Sequence, residues 1–145
     1  MITILCVGKI KEQYLNELIN DYYKRIRKYH KITIIELKDD NDINKENELM
    51  QKYFDEKNFN VALDIQGSTY SSPEFAQFID KTFNYNSNIT FIIGASNGIH
   101  EKILDKCNAR ISFSNLTFPH GLFRGMLLEQ IYRVFKINNN ESYHK

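Results

Sequence analysis

Cysteine is scarce in this chain of 145 residues, which contains only Cys6 and Cys107. The two lie far apart in the sequence, and neither has metal-ligand spacing with any of the four histidines. Lone cysteines of this kind are usually small buried hydrophobic residues. The sequence therefore predicts no disulfide, no metal site and no cysteine nucleophile.

Proline, glycine and long apolar runs are also few. Two prolines and six glycines are spread along the chain, so no Pro/Gly/Ser-rich linker, repeat or low-complexity stretch divides it. This length suits one core and is too short for two ordinary ones, which predicts a single domain over residues 1–145. No stretch has the pattern of a signal peptide or the length of a membrane span, so we expect a cytoplasmic protein without a membrane partner.

A large net charge is lacking too, since 19 Lys and Arg balance 18 Asp and Glu to give +1. The distribution is uneven, however. Seven bases accompany three acids between Lys9 and Lys31, and six accompany two between Lys106 and Lys145, whereas Glu36 to Lys57 holds eight acids and four bases. This asymmetry predicts one basic and one acidic face, and RNA binding depends on the face rather than on the sum.

The segment from Tyr22 to Lys31 interleaves aromatic residues with cations, as do surfaces that contact phosphates and stack on bases. Helical spacing also relates Leu15, Leu18, Ile19, Tyr22 and Ile26, which is equally typical of a core face with a charged outer side. Both interpretations stay open. The candidates for RNA contact are Lys24, Arg25, Arg27 and Lys28.

Apolar periodicity predicts alternating strands and helices. The strands are expected at Ile2–Val7, Ile32–Leu37, Asn60–Ile65, Ile89–Ile93 and Ala109–Phe113, and the helices at Lys11–Tyr29, Asn44–Phe54, Ser72–Phe83 and from Pro119 onward, with Pro119 in the first turn. The buried stripe predicted for the last helix comprises Leu122, Met126, Leu127, Ile131, Val134 and Phe135. This alternation favours an α/β fold with a largely parallel sheet and helices on both faces.

A turn rich in glycine follows the apolar strand Ile89–Ile93. Gly94 and Gly98 bracket it, and such a turn leaves backbone N–H groups free and lets a ligand approach the main chain. In an open α/β sheet, ligands bind at the carboxyl ends of the strands. The spacing matches neither the dinucleotide-binding nor the P-loop pattern. A purely structural turn is the alternative.

The start of the last helix carries a second candidate site. His120 and Arg124 are four residues apart, so they share a face near a helix N-terminus, where backbone N–H groups and the helix dipole favour an anion. A solvated outer face is the ordinary alternative for such charges.

Six segments together resemble the RlmH family. They are ITILCVGKIKEQY, ALDIQG, IIGASNGIH, ISFSNLTFPHGLFR, LLEQIYRVFKI and the terminal YHK, and the resemblance runs from Met1 to Lys145. The chain departs from the family at Ala95, where a second glycine is expected, and in a shorter segment from Asp39 to Phe59. Alanine favours ordinary dihedral angles, so the turn is expected to need no left-handed residue at position 95.

The resemblance implies a function and an assembly. Members of the RlmH family are small bacterial SPOUT-class methyltransferases that use S-adenosylmethionine to methylate N3 of pseudouridine 1915, in the helix-69 loop of 23S rRNA. The resemblance also implies a homodimer, an assembled ribosome as the substrate and no metal. It further implies a deep C-terminal trefoil knot, which periodicity alone would argue against.

In that family the cofactor is held largely by backbone groups of three loops. Carried over by motif, the cofactor-binding residues are Leu63, Gly94, Phe113, Ser114, Asn115, Leu116, Thr117 and Phe118. Adenine needs apolar walls and a few backbone hydrogen bonds, which Leu63, Leu116 and Phe118 with their main chains can supply. No carboxylate is required, although Asp64 could meet a ribose hydroxyl.

The target nitrogen must lose its proton before it can attack a methyl group, so a base or a stabilising cation is expected. The catalytic residues that the resemblance implies are Arg124, Tyr143, His144 and Lys145. His144 is the candidate proton acceptor, and Arg124 or Lys145 the candidate cation that stabilises the anionic base. A terminus of this kind is ordinarily frayed, and only its match to the family tail favours a catalytic role.

Two other functions stay open at the level of sequence. One is another SPOUT reaction, such as ribose 2′-O-methylation of tRNA, and the other is a ribosome-associated RNA-binding factor that has kept the fold without catalysis. For the enzyme we expect a composite site, in which the cofactor loops of one subunit are completed by basic groups of the other. The expected dimer contact uses apolar residues of the last helix beyond its core stripe. They are Leu122, Phe123, Met126 and Ile131.

Overall fold

Strands and helices alternate along the whole chain. The computed structural model describes residues 1–145. In chain order the elements are β1 (Ile2–Val7), α1 (Gln13–Arg27), β2 (Ile32–Leu37), α2 (Ile43–Tyr53), β3 (Phe59–Thr69), α3 (Ser72–Phe83), β4 (Ile89–Ile93), α4 (Glu101–Leu104), β5 (Ala109–Ser112) and α5 (His120–Asn138).

The five strands form one parallel sheet in the order β2-β1-β4-β3-β5. Ile2 of β1 pairs with Ile32 of β2 on one side and with Ile89 of β4 on the other, so the central strands begin at one level. Every residue of β4 is buried, as expected for a strand covered on both faces. The predicted parallel α/β sheet with flanking helices is confirmed.

Helices cover both faces of the sheet. On one face α5 contacts both α1 and α3, and the three helices enclose the larger core cluster. Gly125 of α5 faces Leu18 of α1 so closely that a β-carbon would lie 2.8 Å from the leucine Cδ2, which shows how near the two helices approach. The other face carries α2 and a smaller cluster, whose members are Leu5, Val7, Leu37, Met50, Ile92 and Ile103. None of the helices has the length and apolar character needed to cross a membrane.

Several predicted boundaries need correction. β3 continues to Thr69, beyond the predicted end at Ile65, because its second half pairs with β5 after an irregularity. Pro119 is the N-cap of α5 and not part of its first turn, since its backbone is not helical (ψ 135°). The short helix α4 was not predicted at all, as four residues carry no periodicity.

The buried side of α5 also differs from the prediction. Leu122 is 38% exposed and Met126 is only half-buried, whereas Arg124, Leu128 and Tyr132 are buried. The reason is that α5 packs against two helices as well as the sheet, so more of its circumference is buried than a single stripe. Leu122 lies on the part of the circumference that these neighbours leave uncovered.

Candidate functional site

A cavity of about 470 Å³ opens at the carboxyl ends of β3, β4 and β5. It is lined by residues from the segments that follow these strands and by His120 and Phe123 of α5. The residues expected to hold the cofactor that line it are Leu63, Gly94, Phe113, Ser114, Leu116, Thr117 and Phe118. Asn115 does not line the cavity. The structure thus brings seven of the eight residues together at the edge where α/β sheets bind ligands.

The turn after β4 forms one wall of this cavity. Gly98 has a left-handed backbone (φ +73°) and donates its N–H to the carbonyl of Ala95 at 2.9 Å. A β-carbon on Gly94 would collide with the backbone of Gly98. The turn therefore requires glycine at position 94 because its own main chain folds back, and not only because a ligand approaches. Ala95 has an ordinary φ, as predicted.

A buried carboxylate anchors this turn from behind. Glu46 of α2 is 5% exposed and accepts the backbone N–H of Asp40 at 2.8 Å. The side-chain amide of Asn97 donates to Glu46 at 3.4 Å and to the Asp40 carbonyl at 3.1 Å. Sequence reasoning missed these contacts, because Glu46 stands among exposed charges and nothing local marks it as buried.

The loop after β5 leaves several backbone donors free. The Ser112 hydroxyl donates to the Ser114 carbonyl at 3.0 Å, and the N–H of Leu116 donates to the Ser114 hydroxyl at 3.0 Å. No other residue from Ser114 to Phe118 donates its backbone N–H to a protein group. Leu116 is 71% exposed, so its apolar side chain also lacks a partner within the chain. The loop thus offers free donors and an apolar wall to a ligand.

A four-residue excursion of β3 forms the third wall. Leu63 and Ser68 both pair with Ile111, so the residues between them loop out of the sheet. Asp64 lies in this excursion, lines the cavity and has its carboxylate 4.0 Å from the guanidinium of Arg110. The cavity therefore contains a single carboxylate, held beside a cation.

At the start of α5, His120 and Arg124 have different environments. His120 is exposed, lines the cavity and faces Gly8, at whose position a β-carbon would lie 3.5 Å from Nε2. Arg124 is 2% exposed and donates to Glu36 at 2.5 Å and to the Gly8 carbonyl at 2.9 Å. The expectation of an anion site shared by these two side chains is wrong for this chain, because Glu36 already neutralises the buried guanidinium.

The C-terminal tail folds back onto α5 and α1. The Tyr143 hydroxyl donates to Glu129 at 3.0 Å, and its ring packs edge-on against Tyr132 with centroids 4.9 Å apart. Burial, together with these hydrogen bonds, raises the pKa of Tyr143, so the phenol stays neutral at pH 7. Arg133 lies over the Tyr143 ring and approaches His144 Nδ1 at 3.1 Å. The tail is therefore positioned by side chains and is not frayed.

The tail does not reach the cavity of its own subunit. None of Arg124, Tyr143, His144 and Lys145 lines the cavity, whose nearest α5 residues are His120 and Phe123. The tail instead contacts α5 at Glu129 and Arg133, which lie about 9 and 15 Å beyond Phe123 along a helix that rises 1.5 Å per residue. The residues expected to bind the cofactor and those expected to act on the substrate thus form two separate groups.

The cysteines are unsuited to chemistry at neutral pH. Burial raises the pKa of the Cys6 thiol to about 11 and that of Cys107 to about 11, so both are protonated. Both are free thiols. No group of three or more His, Cys, Asp or Glu side chains is placed to hold a metal ion.

Comparisons with known proteins agree with this architecture. A family model described as "Predicted SPOUT methyltransferase" matches residues 1–144. The chain is 43% identical over 157 aligned positions to the ribosomal RNA large subunit methyltransferase H of Clostridium acetobutylicum, and 45% identical to the protein of that name from Clostridium botulinum strain 657, with 99% of each chain covered in both cases.

A solved structure shares the fold. The probable methylase family protein from Haemophilus influenzae Rd KW20 superposes with a TM-score of 0.59 and 14% identity, covering 99% of this chain and 70% of that one. At this identity the likeness concerns the fold alone. The family rests on the full-length matches, and the chain belongs to the RlmH family of SPOUT methyltransferases.

Proposed function

We propose that this protein transfers a methyl group from S-adenosylmethionine to N3 of a pseudouridine in the helix-69 loop of 23S rRNA, in the cytoplasm and on assembled ribosomes. One observation carries the proposal: seven of the eight residues expected to bind the cofactor line one cavity at the carboxyl ends of three strands. Relatives named ribosomal RNA large subunit methyltransferase H, similar along their whole length, support the choice of RNA.

The cavity fits S-adenosylmethionine in size and chemistry. Its volume of about 470 Å³ lies within the range of small-molecule sites, and most of its lining is apolar. Leu63 and Phe118 provide walls for a purine, the loop from Ser114 to Phe118 provides free N–H donors, and Asp64 provides an acceptor for ribose hydroxyls. When bound, the cofactor supplies a methyl group activated by its positive sulfur.

His144 is the proposed residue that meets the target base. In the observed arrangement Arg133 donates to Nδ1, which places the proton of a neutral imidazole on Nε2. That N–H can donate to a carbonyl oxygen of the base as N3 loses its proton to solvent water. His144 can accept the N3 proton at Nδ1 only after the hydrogen bond from Arg133 to Nδ1 has broken. Lys145 is the proposed cation that stabilises the anionic base.

Arg124 receives a positioning role in this proposal. Its guanidinium joins α5 to Glu36 of β2 and to the Gly8 carbonyl after β1, and it is too deeply buried to touch RNA. Gly8 in turn lies against His120 at the rim of the cavity. Arg124 therefore holds α5 and Gly8 in position at the rim of the cavity and does not stabilise the substrate directly.

We further propose that two copies of the chain form the complete active site. A second α5 packed antiparallel on the first would bring its tail next to the cavity, which the tail of the same chain does not reach. Leu122, Phe123 and Met126 remain exposed or half-buried and suit this contact. Ile131, which we also expected at the dimer contact, is 2% exposed within one chain and belongs to the core instead.

The trefoil knot stays a proposal that follows from the family. Its support is the path of the chain after β5. That strand lies at one edge of the sheet, yet Gly121 at the start of α5 faces Leu15 of α1 and Ile10, which follows β1. The segment from Phe113 to Pro119 must therefore cross the carboxyl ends of β3 and β4, where a knot would be threaded.

The proposed reaction is tested by mass spectrometry of RNA nucleosides from cells that lack the protein and from cells that re-express it. We expect methylated pseudouridine in 23S rRNA only when the protein is present. A ribose-methylated nucleoside in tRNA would indicate another SPOUT reaction. An unchanged nucleoside profile with retained ribosome binding would indicate a factor without catalysis.

The anchor formed by Glu46 leads to a prediction about cofactor affinity. Glu46→Ala removes the acceptor of the Asp40 N–H and one partner of Asn97, so the turn that lines the cavity should loosen. A hydrogen bond to a charged group contributes about 1.5–3 kcal/mol, and we expect the KM for S-adenosylmethionine to rise roughly tenfold while kcat changes little. Steady-state kinetics at saturating ribosomes measures both constants.

Two further variants give this experiment its controls. Glu46→Gln keeps one acceptor oxygen and should recover part of the affinity. Glu48→Ala removes an exposed carboxylate of the same helix that makes no hydrogen bond, and it should leave the KM unchanged. Equal KM values for the Glu46→Ala and Glu48→Ala variants would contradict the anchoring role.

A further inference from the structure

Exposed cations without acidic partners lie in the C-terminal half of α1 and in the short connection from α1 to β2. Lys24, Lys28 and Lys31 are exposed and form neither a hydrogen bond through their side chains nor an ion pair. Arg27 contacts only Tyr23, donating to its hydroxyl at 3.1 Å and lying 5.7 Å from the centre of its ring. These four residues are called the α1 basic face below. Lys24, Arg27 and Lys28 are spaced three and four residues apart, so they project from one side of the helix.

The acids of α1 do not neutralise this face. Asp21 is held by Arg25 in a two-point contact at 3.1 Å, and Glu17 accepts a hydrogen bond from Gln13. Arg25 itself lies over the rings of Tyr22 and Tyr132, at 5.2 and 5.6 Å. The positive charge of the α1 basic face is therefore free to act on a partner.

The C-terminal tail contacts the same half of α1 that carries the free cations. The Tyr22 hydroxyl lies 3.5 Å from that of Tyr143, and the Tyr29 hydroxyl donates to Glu141 at 2.9 Å. These two tyrosines lie on the side of α1 that packs against the core, whereas the α1 basic face projects from the side away from it. A polyanion that curves around this half of the helix would meet both the α1 basic face and the tail.

The acidic segment of the chain lies mostly on the other side of the molecule. The segment from Glu36 to Lys57 holds eight acids; Glu36 pairs with Arg124 of α5, but helix α2 packs on the sheet face opposite to α1 and α5. The α1 basic face and the acidic helix α2 therefore lie on opposite faces of the sheet. A strand of nucleic acid would be attracted to the first and repelled by the second.

We propose that the α1 basic face binds backbone phosphates of the RNA that flanks the methylated nucleotide, and so aligns the RNA with the tail. The proposal rests on the proposed function and extends it to the surface that holds the substrate. Lysine suits this task because its ammonium acts as a point charge toward phosphate, without reading the base sequence.

The test compares two triple variants with the same change of charge. One is Lys24→Gln, Lys28→Gln and Lys31→Gln on the α1 basic face. The control is Lys45→Gln, Lys52→Gln and Lys57→Gln, three exposed lysines on the acidic side that also lack partners. Binding of each protein to ribosomes purified from cells without it is measured over a series of salt concentrations, and cofactor affinity is measured by calorimetry.

We expect the α1 variant to bind ribosomes roughly ten- to a hundredfold more weakly at low salt, with a slope of log K against log salt that is shallower by about 2, since each lost phosphate contact removes about 0.7–0.9. Its cofactor affinity should match the wild type, and Lys→Arg changes at the same three positions should restore binding. The control variant should keep the wild-type slope.

Two results would overturn the proposal while leaving the proposed function intact. One is wild-type affinity and slope in the α1 variant, and the other is an equal loss in both variants, which would reflect total charge rather than a surface. Failure of the wild type to bind or methylate ribosomes would instead remove the proposed function, and the inference would fall with it.

Discussion

Gly94→Val is expected to abolish detectable binding of S-adenosylmethionine. A β-carbon at this position would collide with the Gly98 carbonyl, which is main chain and cannot rotate away as a side chain could. The turn must therefore move, and with it one wall of the cavity. Overpacking of this kind costs about 1–3 kcal/mol, which corresponds to a loss of affinity of up to roughly a hundredfold. Calorimetry in the presence of a chelator should show one site per subunit for the wild type and none for the variant.

Two control variants separate the local effect from a general loss of folding. Gly98→Ala adds a β-carbon in open space, so only the left-handed backbone (φ +73°) resists it and the loss of affinity should be smaller. Leu116→Asp changes a side chain that is 71% exposed, so it should leave thermal unfolding unchanged and still weaken binding by removing an apolar wall. Native affinity in Gly94→Val would remove this turn from the site.

The elements that local sequence determines were predicted closely. β1, β2, α3 and β4 have the predicted bounds. α3 begins where Ser71 and Glu74 form a capping box on either side of Pro73, and β4 is a short β-branched run between turn residues. The glycine-bracketed turn after β4 was also found from sequence, because a position at the carboxyl end of a buried strand is a local property.

What the sequence did not predict depends on distant partners. Arg124 has the spacing of a surface cation, and it is buried only because Glu36, 88 residues earlier, lies opposite it. Leu122 has the spacing of a core residue, and it is exposed because α5 is turned toward α1 and α3 on its other sides. The roles expected of Leu63, Thr117 and the tail come from the resemblance to the family, since each residue type alone is ordinary.

The position of the tail leads to the second large expected effect. Deletion of Ser142 to Lys145 removes the Tyr143 contacts with Glu129 and Tyr132 but leaves Glu129 paired with Arg133. The loss of stability should therefore be modest, about 1–2 kcal/mol. Cofactor affinity should persist, because no tail residue lines the cavity. Methyl transfer should fall by roughly 10²-fold or more, the usual contribution of a positioned acid–base group.

These two defective proteins allow the composite site to be tested directly. Gly94→Val lacks a cofactor site but keeps its tail, and the deletion lacks the tail but keeps its cofactor site. Random exchange of subunits makes half of the dimers mixed, each with one complete site if the tail acts on the other subunit, so activity should return to about a quarter of the wild-type value. Subunit exchange is first confirmed by mass spectrometry of the intact dimers. Confirmed exchange without any recovered activity would place cofactor and tail functions in the same subunit, and the distance between the tail and its own cavity would then require the tail to move during catalysis.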